Sequence, residues 1–384
     1  MSDVVRMGVV GAGALAQRAI LPHLTQEDLH DSVQPRAICD PVAERAEEVA
    51  RRFGVPHVYA RVEELVSAGE ADAVTIASPI GLHFEHGRLA LQAGLHVHFN
   101  KTISTTVDEA DVLIEIAQAR DLKIAASPGE GLRPQLRRTR QLIEEGAIGK
   151  LSWAICGVAF GRYHESEEPE RLEPHAGGPI DPSWYFRKPG GGPLYDMAAY
   201  ALHGLTSVLG PARRVTAMSG KVLPLREFMG TAVHAEVDDN TVLLLDMADN
   251  ALAVVNGTAA GTILDDFGAA CYFGTEGEIR GLLLNGEPFD FPGRELTLDA
   301  PTWDWEAQMR VLPHVVGPHR HIPESHVFED IMQLVDAIRD GTPPPVTAQQ
   351  ARHVVDIIES AYRAAETGVR QDIRTVFQLP AVDP

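Results

Sequence analysis

The chain has few cysteines and no long apolar run. Its three cysteines, Cys39, Cys156 and Cys271, are far apart in sequence and show no metal-ligand spacing. This usage indicates reduced thiols rather than a disulfide framework. No apolar run reaches the roughly 20 residues that a membrane helix needs, and residues 1–6 lack a signal-peptide pattern. We therefore expect a cytoplasmic protein with no membrane partner.

Positive charge is also scarce. Lysine and arginine number 33 against 54 acidic residues, for a formal net charge of −21. A nucleic acid or an anionic membrane surface would repel such a chain, so neither is expected as a partner. At 384 residues the chain is too long for one ordinary core, so we expect two domains.

The most informative segment that is present covers residues 7–16. A short apolar run leads into Gly11-x-Gly13-x-x-Ala16, and helix-forming residues follow. This strand–turn–helix context is typical of a dinucleotide-binding fingerprint. Gly11 permits the tight turn, Gly13 lets a pyrophosphate approach, and Ala16 allows close helix packing. The helix N-terminus offers N–H groups to phosphates. We predict that the cofactor contacts Gly11, Gly13, Ala14, Leu15 and Ala16; the alternative is a glycine turn with no ligand.

Asp40 follows a second predicted strand, residues 36–40, where the ribose of a dinucleotide should lie. A carboxylate there accepts hydrogen bonds from ribose hydroxyls and repels a 2′-phosphate, so NAD is favoured over NADP. Because Pro41 follows, Asp40 is also a good N-cap for a helix over residues 41–53. The two roles can coexist.

The pattern of predicted elements changes near Pro128. In residues 1–128, short strands alternate with helices, which predicts a doubly wound parallel sheet and a Rossmann domain. Residues 129–384 contain longer β-type runs with hairpin turns at 248–250 and 275–278, which predicts a mostly antiparallel sheet. Two helices, over 325–339 and from a capping box at 347 to about 368, close the chain. We expect an α/β protein whose second domain binds substrate and forms oligomers, with the closing helices able to pack back on the first domain.

Two segments carry candidate catalytic residues. Lys101 follows the predicted strand 96–100 at the carboxyl edge where open α/β sheets bind ligands; the alternative is a solvated lysine. Three glycines at 190–192 lead into a helical segment in which Asp196, Tyr200 and His203 are spaced i, i+4 and i+7. This spacing predicts one shared face and an acid–base cluster. The alternative is a partly buried helix whose polar side chains make ordinary hydrogen bonds.

The irregular segment 161–188 is rich in polar and aromatic residues. Long loops in compact domains are often functional, and such side chains suit a polyhydroxylated ligand. The residues are Arg162, His164, His175, Asp181, Trp184, Tyr185 and Arg187. His314, His319 and His321 also cluster in sequence, but no carboxylate or cysteine pattern accompanies them, and we predict no metal site.

In this order, these segments resemble the family of glucose–fructose oxidoreductases, inositol dehydrogenases and their relatives over nearly the whole chain. Gly11–Ala16 is similar to the family's cofactor loop. Ser78-Pro-Ile-Gly-Leu-His83 is similar to its Thr-Pro-x-x-x-His element, and residues 96–102 stand where it has His-Val-x-x-Glu-Lys-Pro. Residues 190–200 are similar to its Gly-Gly-Gly-x-x-x-Asp-x-Gly-x-His/Tyr segment. The chain differs from the pattern at Asn100, Thr102, Ala198 and His203.

The resemblance implies specific roles. The family joins an N-terminal Rossmann domain to a C-terminal domain with an open, mostly antiparallel sheet. By the same resemblance, we expect a homodimer or homotetramer whose subunits meet through the outer face of this sheet. Lys101 takes the place of the catalytic lysine, Asp196 that of the motif aspartate, and Tyr200 that of a histidine or tyrosine. Further cofactor contacts are expected at Ser78, Pro79, His83, Asn100 and Lys101. Substrate contacts are expected at Lys101, Arg162, Trp184, Asp196 and Tyr200.

These observations predict an NAD-dependent dehydrogenase that oxidises a hydroxyl of a sugar, an anhydrosugar or an inositol-like polyol, at a cleft between the domains. Tyr200, or with less support His203, would be the base. Lys101 would orient the hydroxyl, and Asp196 would orient the substrate or the Lys–Tyr pair. Two alternatives remain. One is a sugar oxidoreductase or glycosidase that holds NAD tightly and oxidises transiently; the other is a non-catalytic, dinucleotide-sensing regulator.

Overall fold

The computed structural model describes residues 4–159, 161–162, 165, 180–261, 269–299 and 305–380. The chain divides into two compact units. Unit 1 takes in Met1–Pro128, Ser166–Pro182 and Pro313–Ala348; unit 2 takes in Gly129–Glu165, Ser183–Leu312 and Gln349–Pro384.

Unit 1 is built on a parallel sheet of six strands in the order β3-β2-β1-β4-β5-β6. This confirms the predicted doubly wound sheet. The central strands β1 and β4 are apolar and almost fully buried, as expected for strands covered on both faces. The strands are β1 Val5–Val10, β2 Val33–Cys39, β3 His57–Tyr59, β4 Ala73–Ile76, β5 His96–Phe99 and β6 Ile124–Ala126.

Five helices connect these strands. A π-helical turn, Ala16–Ile20, runs directly into α1. Helix α2 ends at Gly54, which adopts a left-handed φ of 67°, and α5 begins with a capping box between Thr106 and Glu109. The helices are α1 Leu21–Leu24, α2 Ala43–Phe53, α3 Val62–Ser67, α4 His83–Gln92 and α5 Val107–Ala119.

Unit 2 contains a nine-stranded sheet in the order β16-β15-β14-β13-β7-β12-β11-β8-β17. Among the strand pairs that the structure describes in this sheet, only β7–β12 is parallel, so the prediction of a mostly antiparallel sheet is confirmed. The predicted hairpins join β11 to β12 and β13 to β14. The strands are β7 Leu151–Ala159, β8 Arg214–Gly220, β11 Asn240–Asp246, β12 Leu252–Thr258, β13 Cys271–Gly274, β14 Glu278–Arg280, β15 Leu283–Leu284, β16 Glu287–Pro288 and β17 Gln371–Asp372.

A separate two-stranded ribbon joins β9 Leu225–Phe228 to β10 Thr231–His234. The described residues of unit 2 up to Leu312 form three helices: α6 Pro134–Glu144, α7 Ala199–Leu209 and α8 Trp305–Gln308. A π-helical turn, Leu194–Ala198, precedes α7.

The predicted closing helices are α9 Ser325–Asp340, in unit 1, and α10 Ala348–Thr367, which lies in unit 2 from Gln349 onward. None of the helices described here is long and apolar enough to cross a membrane. The three cysteines are free thiols.

Candidate functional site

The glycine loop after β1 is built as a tight turn. Gly11 has φ 99°, and a Cβ at this position would lie 2.8 Å from the carbonyl oxygen of Ala77. Its N–H donates to the carbonyl of Cys39 at 2.8 Å. The Gln17 side chain donates to the Ala12 carbonyl at 2.9 Å, closing the loop from the helix side. Only glycine fits position 11, for a reason internal to the protein.

Gly13 is different. A Cβ added there would meet no protein atom within 4 Å. The loop therefore leaves open space beside Gly13, at the start of the helical turns that contain Ala14, Leu15 and Ala16. Space and backbone N–H groups at a helix start are what a pyrophosphate requires, so the residues present fit a dinucleotide.

Asp40 lies at the end of β2 and is buried, with 5% exposure. Its Oδ2 accepts the backbone N–H of Ala12 at 2.9 Å, and its Oδ1 accepts that of Val42 at 2.9 Å. Arg45 Nη1 is 3.4 Å from Oδ1. The carboxylate thus lies beside the glycine loop, and its contact with a ribose stays a prediction. The predicted N-cap role of Asp40 is wrong, because α2 begins at Ala43 with Val42 as its N-cap; Asp40 instead closes the turn before the helix through its bond to Val42.

Ser78 and His83 connect two neighbouring strand ends. The His83 ring lies between two carbonyl oxygens, with Nε2 2.9 Å from Ser78 O and Nδ1 2.6 Å from Thr102 O. Burial lowers the pKa of His83 to about 4, against the opposing effect of these carbonyls. His83 is therefore neutral near pH 7 and donates a hydrogen bond from only one ring nitrogen. Its ring lies between the segment containing Ser78 and Pro79 and the turn that contains Lys101.

Lys101 follows Asn100 at the end of β5 and is half-buried. The Asn100 amide oxygen accepts the Lys101 N–H at 2.9 Å, and the Asn100 N–H donates to Ile76 of β4 at 3.1 Å. The Lys101–Thr102 peptide bond is cis.

The predicted cofactor residues and Lys101 therefore follow the carboxyl ends of four adjacent strands, β2, β1, β4 and β5. The strand order reverses between β1 and β4, and open α/β sheets bind ligands at such a switch point.

In unit 2, the predicted catalytic segment starts from a glycine turn. A Cβ at Gly191 would lie 2.3 Å from the carbonyl oxygen of Arg187, so this glycine is required sterically. Asp196 lies in the π-helical turn, whereas Tyr200 and His203 lie in α7. All three side chains are buried. The prediction that these three side chains share one face assumed a regular α-helix. This is wrong for Asp196, because it lies in a π-helical turn. Only Tyr200 and His203 keep α-helical spacing.

His203 is a weak base. Burial, and next the charge of His353, lower the pKa of His203 to about 3. A group with such a pKa holds a proton poorly near neutral pH. This observation favours Tyr200 over His203 for proton transfer.

The loop candidates are described only in part, since His164 and His175 lie outside the described residues. Arg162 is exposed and pairs with Glu165. Trp184 lies in a short 3-10 turn, Ser183–Phe186, with its ring 3.8 Å from that of Tyr185. The turn is anchored by Phe186, whose ring stacks under the Arg226 guanidinium at 4.1 Å.

Two charged clusters were missed by the sequence analysis. Arg226, buried in unit 2, pairs with buried Asp239 at 2.8 Å. In unit 1, Arg18 of the first π turn pairs with Glu324, which stands directly before α9. Neither has a local sequence signal, because the partners are far apart in the chain. The described residues contain no cluster of three or more side chains able to hold a metal ion.

Comparison with known proteins identifies the class. Residues 5–127 match the model of an oxidoreductase family with an NAD-binding Rossmann fold, and residues 136–280 match the GFO/IDH/MocA C-terminal domain. The chain belongs to this family of oxidoreductases, and the resemblance inferred from the motifs is confirmed.

Among its relatives is the scyllo-inositol 2-dehydrogenase (NADP(+)) IolW of Bacillus subtilis, 24% identical over 95% of this chain and 94% of the relative. The D-glucoside 3-dehydrogenase of Escherichia coli is 22% identical over 97% and 98% of the two chains. A crystal structure of the WlbA dehydrogenase from Bordetella pertussis, in complex with NADH and UDP-GlcNAcA, shares the fold. Its TM-score is 0.74 at 18% identity, with 97% of this chain and 98% of that chain covered.

Proposed function

We propose that this protein is an NAD-dependent dehydrogenase that oxidises a hydroxyl of a sugar, an anhydrosugar or an inositol-like polyol. The observation that carries the proposal is the position of Lys101. It follows β5 at the sheet edge where Gly11 follows β1 and Asp40 follows β2. A cation at this sheet edge suits hydride transfer, because it can hold the reacting hydroxyl close to the cofactor. The substrate class is supported by relatives named for inositols and glucosides.

NAD, when bound, supplies nicotinamide C4 as the hydride acceptor. The open space at Gly13 supports binding of its pyrophosphate. The negative charge of Asp40 favours NAD over NADP. One relative is named for NADP(+), so the preference has to be measured for this chain.

The protein side chains handle the proton. Tyr200 takes the hydroxyl proton as the attached carbon loses its hydride, so that the alcohol becomes a carbonyl. A phenol has an ordinary pKa of about 10 and needs a cation to act near neutral pH. Lys101 is proposed to supply that charge and to stabilise the developing oxyanion. Asp196 orients the substrate or the Lys–Tyr pair. Arg162 and Trp184 contact the hydroxyls and the ring of the substrate.

The direct test is a screen of monosaccharides, anhydrosugars, inositols and sugar acids with NAD and NADP, read by the absorbance of the reduced cofactor. We expect reduction of NAD with at least one substrate class. NAD that co-purifies and never turns over in bulk would point instead to transient oxidation. Absence of reduction across the panel would point to a regulator.

The roles are tested by substitution. Lys101→Met should lower kcat by orders of magnitude while NADH still binds, and Lys150→Met, at an exposed lysine of unit 2, should not. Near wild-type turnover in Lys101→Met would remove the lysine from the mechanism. Full activity in Tyr200→Phe, with loss in His203→Ala, would transfer the base role to His203.

A further inference from the structure

Glu324 has an unusual backbone conformation. It precedes α9 with φ 58° and ψ 37°, in the left-handed region that L side chains other than asparagine and aspartate rarely adopt. Residues held in such conformations persist where surrounding contacts fix them, and they concentrate at functional sites. A glutamate at this position therefore calls for an explanation in its side chain.

The Glu324 carboxylate pairs with an arginine of unit 1 and lies near a histidine. Its Oε1 pairs with Arg18 Nη2, and its Oε2 lies 3.7 Å from His326 Nε2. The Glu324 side chain is 23% exposed, so this cluster is partly shielded from water. Arg18 belongs to the π turn Ala16–Ile20, directly after the glycine loop. The ion pair thus connects the cofactor-binding turn to the start of α9.

The charge of Lys101 has a smaller effect on the same carboxylate than those of His326 and Arg18. Burial raises the pKa of Glu324, but the charges of His326, Arg18 and Lys101 outweigh burial and lower it. Glu324 is therefore ionised near neutral pH. The positive end of the α9 dipole favours the same state.

The sequence neighbour of Lys101 offers no such charge. Asn100 is neutral, and its amide oxygen accepts the Lys101 backbone N–H rather than serving as a counter-ion.

We propose that Glu324 is a positioning residue for the active site, tying the cofactor-binding turn through Arg18 and restraining the Lys101 ammonium by its charge. The inference rests on the proposed function, because Lys101 has its catalytic role only there. Asparagine or glycine at position 324 would relieve the left-handed backbone. Neither residue has the negative charge and the side-chain length that the pairing with Arg18 requires.

Two variants separate the charge from the backbone. Glu324→Asn suits the left-handed conformation and removes the charge, whereas Glu324→Gln keeps the length and removes the charge. Asp340→Asn, exposed at the other end of α9, is the matched control. The chain has only five lysines. Reductive ¹³C-methylation therefore gives few lysine signals, and Lys101→Arg identifies that of Lys101.

We expect both Glu324 variants to raise the Kd for NADH several-fold and to shift the Lys101 methyl signal, while the signals of Lys123 and Lys150 stay in place. We also expect kcat to fall about tenfold or more with a much smaller change in substrate KM, because misplaced catalytic groups act on the chemical step. Both variants should stay folded at the assay temperature, with thermal midpoints well above it, and Glu324→Asn should melt no lower than Glu324→Gln.

The inference is overturned if both variants keep wild-type NADH affinity and an unchanged Lys101 signal, or if Asp340→Asn shows the same losses. Its failure is distinguishable from that of the proposed function. If wild-type protein oxidises no sugar or polyol, the proposed function fails, and NADH affinity and the Lys101 signal still decide the role of Glu324.

Discussion

The backbone N–H of Ala12 donates to Oδ2 of Asp40 across 2.9 Å, so a carboxylate after β2 braces the glycine loop after β1. The other oxygen of Asp40 accepts the N–H of Val42. Each carboxylate oxygen has two lone pairs, so these contacts leave acceptor capacity for a ribose hydroxyl. Asp40 can therefore hold the glycine loop by hydrogen bonds and also select the cofactor.

Asp40→Asn should relax cofactor selectivity. The amide keeps one acceptor oxygen but loses the charge that repels a 2′-phosphate, so we expect the NADP/NAD ratio of kcat/KM to rise about tenfold or more. Asp40→Ala should also lower the thermal midpoint, because two backbone N–H groups lose their acceptors. Asp121→Asn, at a side chain that is 97% exposed, should change neither quantity. An unchanged ratio in Asp40→Asn would show that the charge does not discriminate.

Alanine at Gly11 and at Gly13 should fail for different reasons. At Gly11 the new Cβ collides with the Ala77 carbonyl in a left-handed backbone, so we expect a loss of about 2 kcal/mol or more in the free energy of unfolding. At Gly13 the protein offers free space. Gly13→Ala should therefore keep the thermal midpoint of the cofactor-free protein and weaken NADH binding by about 100-fold. Wild-type NADH affinity in Gly13→Ala would place the pyrophosphate elsewhere.

The parallel sheet of unit 1 was predictable because each apolar run in residues 1–128 is followed by a helix with recognisable ends. Gly54 is an example, since it ends α2 in the left-handed conformation expected of a glycine cap. The three-residue strand β3 was missed, because so short a run shows no periodicity. The π turn at Asp196 was missed for a related reason. It inserts one residue into a helix without any signal in composition.

Contacts between distant residues account for the rest. Asp40 was identified because it directly follows a strand. Glu324 and Arg18 are separated by 306 positions, and no local pattern brings them together. The positive φ of Glu324 is equally invisible in sequence, because asparagine or glycine is the usual residue in that conformation.

A buried hydrogen-bond chain in unit 1 should contribute strongly to stability. Ser127 Oγ donates to Asp330 Oδ2 at 2.5 Å, so its oxygen accepts from His98 Nε2 at 2.9 Å. His98 Nδ1 then accepts from Thr75 Oγ1 at 2.8 Å. Ser127→Ala removes the hydroxyl between a buried carboxylate and a buried imidazole. We expect it to cost about 2–4 kcal/mol in the free energy of unfolding.

Thr75→Val keeps the side-chain shape and removes one terminal donor, so it should cost only about 1 kcal/mol. Ser67→Ala, at an exposed serine of the same unit, is the control. Denaturant midpoints measured at constant m-value test this order. Equal costs for Ser127→Ala and Thr75→Val would contradict a chain that runs toward Asp330.

Stability should fall as the pH is lowered from 7 to 5. Burial lowers the pKa of five histidines, to about 3 or 4. In the unfolded chain these groups protonate near pH 6.5, so the unfolded state binds more protons below that pH and becomes favoured. The thermal midpoint should therefore drop in this range, and His203→Gln should make the dependence shallower. The five are His23, His83, His98, His203 and His353.

His314 should act with the opposite sign. Burial lowers the pKa of His314, but the hydrogen bond and charge of Glu329 and the charge of Asp336 outweigh it and raise the pKa. The stability that His314 contributes is present below pH 6.5 and is lost as the pH rises through its raised pKa. His314→Gln should thus remove stability mainly at acidic pH. If the thermal midpoint of the wild-type protein did not change between pH 5 and 7, the five buried histidines of the preceding paragraph would not have lowered pKa values.

The outer face of the unit 2 sheet is apolar, and we propose that a second copy of the chain covers it. Cross-strand pairs share a face, and Leu244 opposes Val254, which in turn opposes Ile155. In the neighbouring rows Met218 opposes Val242, and Leu252 opposes Trp153. Leu244 is 50% exposed and Leu252 is 55% exposed. Soluble monomers rarely expose so continuous an apolar surface, and a flat face suits a two-fold interface that pairs with itself.

We therefore expect a homodimer or homotetramer in sedimentation velocity, and dissociation to smaller species in the double variant Val242→Glu, Leu244→Glu. Burying two like-charged rows against each other is costly, whereas a solvated sheet face accepts glutamate readily. The control is Val222→Glu, which adds a charge at an exposed valine just beyond β8 and should leave the assembly intact. A monomeric wild-type protein, or an unchanged assembly in the double variant, would exclude this face as the interface.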